Sequence, residues 1–354
     1  MIPVHPIAVE IEHRASYLRG APNQSLFLAA SEDGSISTFG VDGVVKKRGK
    51  QRTGVCDVCL HPFKESLALI EREGGKLRIL DMDGTTHFEQ EGPPRREKAS
   101  AWVRDEFASC FFDESGHYLW CAMALSPKEI EVHLLETSYW LPAGSIVMED
   151  PFYESYLSFH RTSKRDVTAL WVGCGQDGRQ VYWLRRNAIG LTCEREPCLE
   201  DCGPPVFSPS GNQFLALGED RALRLFQFPE VRQIGICPAP WEENDFFGFF
   251  LGYLDESHAV VSTDSSRVFM LDVRQMKVVD EVLIQNHEPR PKEEVFPSRV
   301  GHRELCTDIR YFDRLGDVII FVFRRDKASL VGSWQGWKDT LLCVPVKDII
   351  AHSE

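Results

Sequence analysis

The stretch Val206–Phe228, VFSPSGNQFLALGEDRALRLFQF, reads as an alternating strand, a turn at Ser208–Gly211, an apolar strand, a second turn at Gly218–Asp220 and a third strand. The layout recurs along the chain. A recurring unit constrains a fold more tightly than any single motif, because every copy must bury its apolar faces in the same way. The first turn has counterparts at His61–Lys64, Asp113–Gly116, Asp255–His258 and Asp313–Gly316, where Pro, Gly, Asp and Ser supply the backbone angles and local hydrogen bonds of tight turns. Seven apolar segments match the second strand of the unit: SLFLAAS, SLALIER, YLWCAMAL, DVTALWVG, QFLALG, HAVVST and DVIIFVF. Their β-branched and aromatic content, with polar punctuation at both ends, suits strands better than helices.

After most of them comes a second turn rich in Asp and Gly and then a third strand, as in SEDGSISTF, GQDGRQVYWL, GEDRALRLF and STDSSRVFML. A more polar fourth strand follows, such as VVKKRGK, THFEQEG or KVVDEVLI. The copies lie roughly 40 to 60 residues apart, the spacing of four-stranded propeller blades. A lone four-stranded sheet cannot cover its own faces, so the expected fold is all-β: one domain over residues 1–354, a seven-bladed β-propeller of antiparallel four-stranded blades. The expected blades are approximately 14–50, 51–92, 99–149, 150–198, 199–238, 239–286 and 302–350. After DTLLCVPV only KDIIAHSE remains, too little for a fourth strand in the last blade. The segment 3–12 alternates Ile7, Val9 and Ile11 with polar neighbours and is expected to close the ring.

These turns and strand ends resemble those of the WD40 family of β-propellers. The resemblance rests on Ser31–Gly34, Gly218–Asp220 and Ser262–Asp264 at the second turn, on FSPSG, and on the Leu-Asp endings at 80–81 and 271–272. No repeat ends in Trp-Asp, and only Gly301-His302 sits where the family has its Gly-His pair, so the likeness is to a divergent, WD40-like propeller. It implies the same closure by the first strand, and it does not specify a function.

Charge narrows the partners. The chain carries 40 basic and 53 acidic residues, a net charge of -13 over 354 residues. That balance argues against a nucleic-acid binder, which concentrates Lys and Arg against phosphates, and favours a basic protein or peptide partner. The N-terminal segment MIPVHPIAVEIEHR lacks the basic-then-apolar pattern of a signal peptide. No apolar run approaches the ~18 to 20 residues of a membrane helix. Eleven cysteines without an export signal are expected to be reduced thiols in the cytoplasm.

In a propeller, the turns joining first to second and third to fourth strands share one face; the blade-to-blade links and the turns joining second to third strands share the other. Here the first set is short. The second set is long at 91–104, 145–155, 193–203, 237–248, 285–303 and 324–339. Long loops in compact domains are commonly functional, and aromatic and Arg side chains are the usual interface anchors. The candidate partner-binding residues are therefore Trp102, Tyr153, Trp241, Phe246, Phe247, Arg299, Trp334 and Trp337 on that long-loop face. Trp120, Trp171 and Trp183 lie within apolar strands and are expected between blades.

Catalytic and metal signals are sparse. Cys56 and Cys59 lie three apart on a strand, which should point them to opposite faces. Cys193, Cys198 and Cys202 share one link and are the weak candidates for a metal. No cofactor is expected, and the expected function is a non-catalytic interaction scaffold or regulatory subunit that binds its partner through the long-loop face. The alternative is a propeller hydrolase or lactonase using His160, His302, Asp308 and Glu154 around the axis; no nucleophile elbow, zinc-binding helix or phosphate loop accompanies them.

Overall fold

A computed structural model describes residues 2–13, 15–21, 24–51, 53–72, 75–92, 108–126, 129–149, 156–162, 166–173, 178–238, 247–263, 267–284, 306–315, 317–326 and 339–351. It is a seven-bladed β-propeller. Two short strands come first, β1 (Ile2–Val4) and β2 (Ile7–Glu10). Blade one is β3 (Tyr17–Ala21), β4 (Leu26–Ala30), β5 (Ser35–Gly40) and β6 (Val45–Lys50); blade two is β7 (Val55–Leu60), β8 (Ser66–Glu71), β9 (Leu77–Asp81) and β10 (Thr86–Gln90). Blade three is β11 (Ala108–Phe112), β12 (Tyr118–Ser126), β13 (Glu129–Glu136) and β14 (Leu141–Glu149); blade four is β15 (Tyr156–Arg161), β16 (Val167–Gly173), β17 (Arg179–Asn187) and β18 (Gly190–Arg195). Blade five is β19 (Val206–Phe207), β20 (Gln213–Leu217), β21 (Leu223–Gln227) and β22 (Arg232–Cys237); blade six is β23 (Phe247–Tyr253), β24 (His258–Thr263), β25 (Val268–Asp272) and β26 (Lys277–Ile284). Blade seven takes β27 (Cys306–Leu315), β28 (Val318–Asp326) and β29 (Thr340–Pro345) from the end of the chain and β2 from its start. The helix α1 (Val346–Ile350) follows. Among the described residues, no helix is long and apolar enough to cross a membrane.

The seven apolar segments read from the sequence are the second strands of the seven blades. Their unbroken apolar character follows from burial on both faces. In β4, Phe27 and Ala29 pack toward blade seven while Leu28 and Ala30 pack toward blade two. In β8, Leu67 and Leu69 face blade one and Ala68 and Ile70 face blade three. The core is accordingly divided into seven apolar clusters, one at each junction between neighbouring blades. Trp120 and Trp183 are buried within two of these, and Trp171 packs, partly buried, against the same cluster as Trp183, at the junction of blades four and five.

Closure uses the N-terminal segment twice. β2 pairs antiparallel with β29, Val9 opposite Leu341, and buries Val9 and Ile11 at the junction of blades seven and one. β1 pairs in parallel with β26 and adds a fifth strand to blade six. The Asp339 carboxylate accepts from the Ala15 backbone N–H at 2.8 Å, fastening the same junction.

Two local expectations are corrected. The turn expected at Asp313–Gly316 begins later, because β27 runs to Leu315 and Leu315 pairs directly with Val318. Cys56 and Cys59 do not face opposite ways: both pack toward blade three, while Val55 and Val58 pack toward blade one. The pairing of β7 with β8 skips from Val55 to Asp57. Such a bulge inserts one residue and resets the alternation. Cys59 then meets Cys110, not Cys56, with sulfurs 3.6 Å apart.

Candidate functional site

The inner strands of blades one to four bring polar side chains together near the axis. The β7 bulge aims Asp57 out of the apolar alternation. Its carboxylate is buried and accepts from Arg19 Nη2 at 2.9 Å, Ser109 Oγ at 2.8 Å, and the backbone N–H groups of Cys110 at 3.0 Å and Val58 at 2.8 Å. Ser109 Oγ in turn accepts from the Phe159 N–H at 3.4 Å. One carboxylate thus ties together inner strands of successive blades, and its acceptor sites are filled from several sides. Two residues along β15, Ser158 Oγ and His160 Nε2 lie 2.7 Å apart. His160 sits on the innermost strand of blade four, where burial shields its ring from bulk water. That desolvation, with the Arg19 charge second, pushes its pKa down to about 3 and keeps the imidazole neutral.

The short-turn face carries a different chemistry. Val44 is 52 % exposed, Phe63 57 %, Tyr139 78 %, Leu141 58 % and Ile189 99 %. They stand on or beside turns from first to second or third to fourth strands. Four of them are held the same way, by a side chain that captures the residue's own backbone N–H. Val44 donates to Asp42 Oδ1 at 3.0 Å, Phe63 to His61 Nδ1 at 3.0 Å, Tyr139 to Glu136 Oε2 at 3.3 Å and Ile189 to Asn187 Oδ1 at 2.9 Å. Short polar side chains replace backbone partners in this way at turns. Between Tyr139 and Leu141, Trp140 takes a left-handed φ of 56° and folds inward, stacking on Phe88 with ring centres 5.9 Å apart. Its neighbours are left pointing out.

Hydrogen bonds also link these turns across blades. Gln24 Nε2 donates to the carbonyls of His61 (2.6 Å) and Lys64 (2.7 Å), and His61 Nε2 donates to Gly116 O at 3.2 Å. Since His61 Nδ1 accepts two backbone N–H groups, from Phe63 and Lys64, the ring is the neutral Nε2–H tautomer. Burial first, and the Lys64 charge second, push its pKa down to about 4. Gly116 has φ 67°, and a Cβ there would lie 2.6 Å from the His61 ring, so the contact requires glycine.

Most of the residues singled out on the long-loop face, Trp102, Tyr153, Trp241, Phe246, Arg299, Trp334 and Trp337, lie outside the described residues, as do Glu154 and His302. Phe247 opens β23 and Asp308 lies in β27; their side chains are outside the description too. The link at 193–203 lies within the described residues. Its Leu199 and Cys202 are buried between blades four and five, and Glu196 accepts from Trp183 Nε1 at 3.0 Å. The three cysteines of this link do not converge: Cys193 packs toward blade three, Cys202 toward blade five, and Cys198 is exposed. Among the described residues, no group of three or more His, Cys, Asp or Glu side chains is placed to hold a metal.

No protein-family model matches the chain, and no curated protein matches it. Function must therefore be read from the site itself. The exposed residues Phe63, Tyr139, Leu141 and Ile189 were not singled out from the sequence. Their signal is present there: an apolar residue inside an otherwise polar turn, as in HPFK, ETSYWL and NAIG.

Proposed function

We propose that the chain is a non-catalytic interaction scaffold, a divergent WD40-like propeller that holds a protein or peptide partner in the cytoplasm. The observation that carries this reading is the presentation of large apolar side chains on turns that capture their own backbone. A solvated loop has no need to fix a tyrosine or an isoleucine in the open, whereas a docking surface gains affinity from anchors that are ordered before the partner arrives. The Asp-capped second turns support the family likeness. Asp33 accepts from the Ser35 N–H at 2.9 Å and Asp220 from the Ala222 N–H at 3.1 Å. The nine cysteines whose side chains are described are free thiols, in keeping with a reducing compartment. Tagged protein purified from its native cells should bring down a partner in stoichiometric amount; repeated purification without one would defeat the proposal.

A second reading, a hydrolase or lactonase working in the axial channel, is favoured by the contact between Ser158 and His160. An imidazole that protonates only near pH 3 is a weak general base at neutral pH. Ester or lactone turnover by the purified protein, abolished by Ser158→Ala, would establish this reading in place of the first.

A further inference from the structure

We propose that the docking surface is the short-turn face of blades one to four, and that its partner is a basic protein segment carrying apolar anchors. The inference rests on the scaffold reading and adds the face and the chemistry of the partner.

The anchors are Phe63, Tyr139, Leu141 and Ile189, with Val44 at one edge. Blades three and four bring two of the apolar turns side by side. Their outer strands β14 and β18 pack so closely that a Cβ on Gly144 would sit 3.1 Å from Leu191. Tyr139 and Leu141 stand at the start of β14, and Ile189 immediately precedes β18. Phe63 joins the sector through His61, whose ring bonds the neighbouring turn at Gly116.

Charge selects the occupant. Within the described residues of the first-to-second and third-to-fourth turns of blades one to four, Asp42, Glu65, Asp83, Glu114 and Asp166 are exposed and Lys64 is the one Lys or Arg; Lys164 and Arg165 of the blade-four turn lie outside the described residues. Of these carboxylates, Glu114 has an ion-pair partner among the described residues, Arg161, at 3.9 Å. The other face differs: there Glu32 meets Arg72 at 2.8 Å, Asp33 meets Lys50 at 3.2 Å and Asp220 meets Arg224 at 2.7 Å. An acidic surface with apolar anchors repels a second copy of itself, an anionic membrane and nucleic acid. It attracts a segment with Lys or Arg among its apolar side chains, since opposite potentials steer the encounter and buried apolar side chains hold the complex.

The test places a photo-crosslinking p-benzoylphenylalanine at Tyr139 in the full chain, with a parallel variant carrying it at Trp337, in the segment of sequence between β28 and β29. Each is irradiated in native extract and the linked peptides are sequenced. Crosslinks are expected from position 139, to a segment with net positive charge and several apolar residues. A synthetic peptide of that segment should bind the wild type, lose at least tenfold in affinity to Tyr139→Ser/Leu141→Ser and to Asp42→Lys/Asp83→Lys, and weaken in high salt. Both double variants should keep the wild-type melting temperature. Crosslinks from 337 alone overturn this face while leaving the scaffold reading intact. A neutral or acidic captured segment overturns the partner chemistry. If position 139 links nothing where purification still yields a stoichiometric partner, the inference falls by itself; if no partner exists at all, both readings fall.

Discussion

The link after β18 and the turn before it look alike in sequence and end in opposite environments. Residues 196–202 place Leu199 at 0 % exposure between blades four and five, whereas a few residues earlier Ile189 stands 99 % exposed at a turn tip. Both carry an apolar side chain in a polar setting, and both are pinned by local hydrogen bonds, Glu196 to the Cys198 N–H and Asn187 to the Ile189 N–H. They differ in what stands opposite. The link crosses a junction where Trp183, Phe214, Phe226 and Phe228 already form an aromatic cluster, and Leu199 completes it. The turn tip has no blade beyond it. Local capture fixes a side chain's position; only a neighbouring layer decides whether it is core or surface.

The largest effect tests the ring that both regions share. Deleting residues 1–12 removes Val9 and Ile11 from their junction and unpairs β29 and β26, so stability should drop by ~4 kcal/mol or more on the area of two buried aliphatic side chains alone. An unchanged melting temperature would mean that the ring closes without its N-terminal strand. Next comes the comparison itself. Leu199→Ala should cost ~3 kcal/mol through the cavity it leaves, and Ile189→Ala should stay within ~0.5 kcal/mol. Equal shifts in the urea midpoint would erase the distinction between link and turn.

The captures can be contrasted directly. Glu196→Ala strands the indole N–H of buried Trp183 and should cost about 1–2 kcal/mol. Glu136→Ala loses only N–H acceptors at an exposed turn, where water substitutes, and should cost about 0.5 kcal/mol or less. A larger loss at Glu136 would show that its turn is supported by more than local bonding.

The last test is pH dependence. His61 and His160 have folded pKa values of about 4 and 3, below the ordinary 6.5, so the unfolded chain binds more protons as pH falls through 6.5. Their contribution is full above pH ~6.5 and declines toward the folded values, by up to about 1 kcal/mol per pH unit for a buried histidine. The window from pH 6.5 to 5 isolates them. Carboxylates held low, such as Asp33 at about 2, lose their contribution only below about pH 4. His61→Gln should therefore show a smaller loss between pH 6.5 and 5 than the wild type; identical slopes would remove His61, the residue that holds Phe63 in place, from the titration.

Much of the architecture was legible because the physics repeats. All seven second strands, buried on both faces, announce themselves as apolar runs, and the alternation of Ile7, Val9 and Ile11 marked the closing strand. Where a strand departs from even alternation the reading failed. The bulge at Cys56 turned Cys56 and Cys59 to the same side and sent Asp57 to the axis, and nothing in GVCDVCLHP distinguishes a bulged strand from a regular one. The candidate site was harder to read. Loop length pointed to one face, whose named aromatic residues lie outside the described residues, while the described link at 193–203 sends Leu199 and Cys202 into the junction of blades four and five.

By itself the sequence determined the repeat, the number of blades and the closure of the ring, because strand period and turn chemistry act over a few residues at a time. Tertiary structure alone decided which apolar residues outside the strands are core and which are exposed, and which polar groups meet at the axis. Those outcomes depend on contacts between residues far apart in the chain, such as Arg19 with Asp57, 38 residues apart, and Asp57 with Ser109, 52 apart, and no local pattern encodes who the neighbour will be.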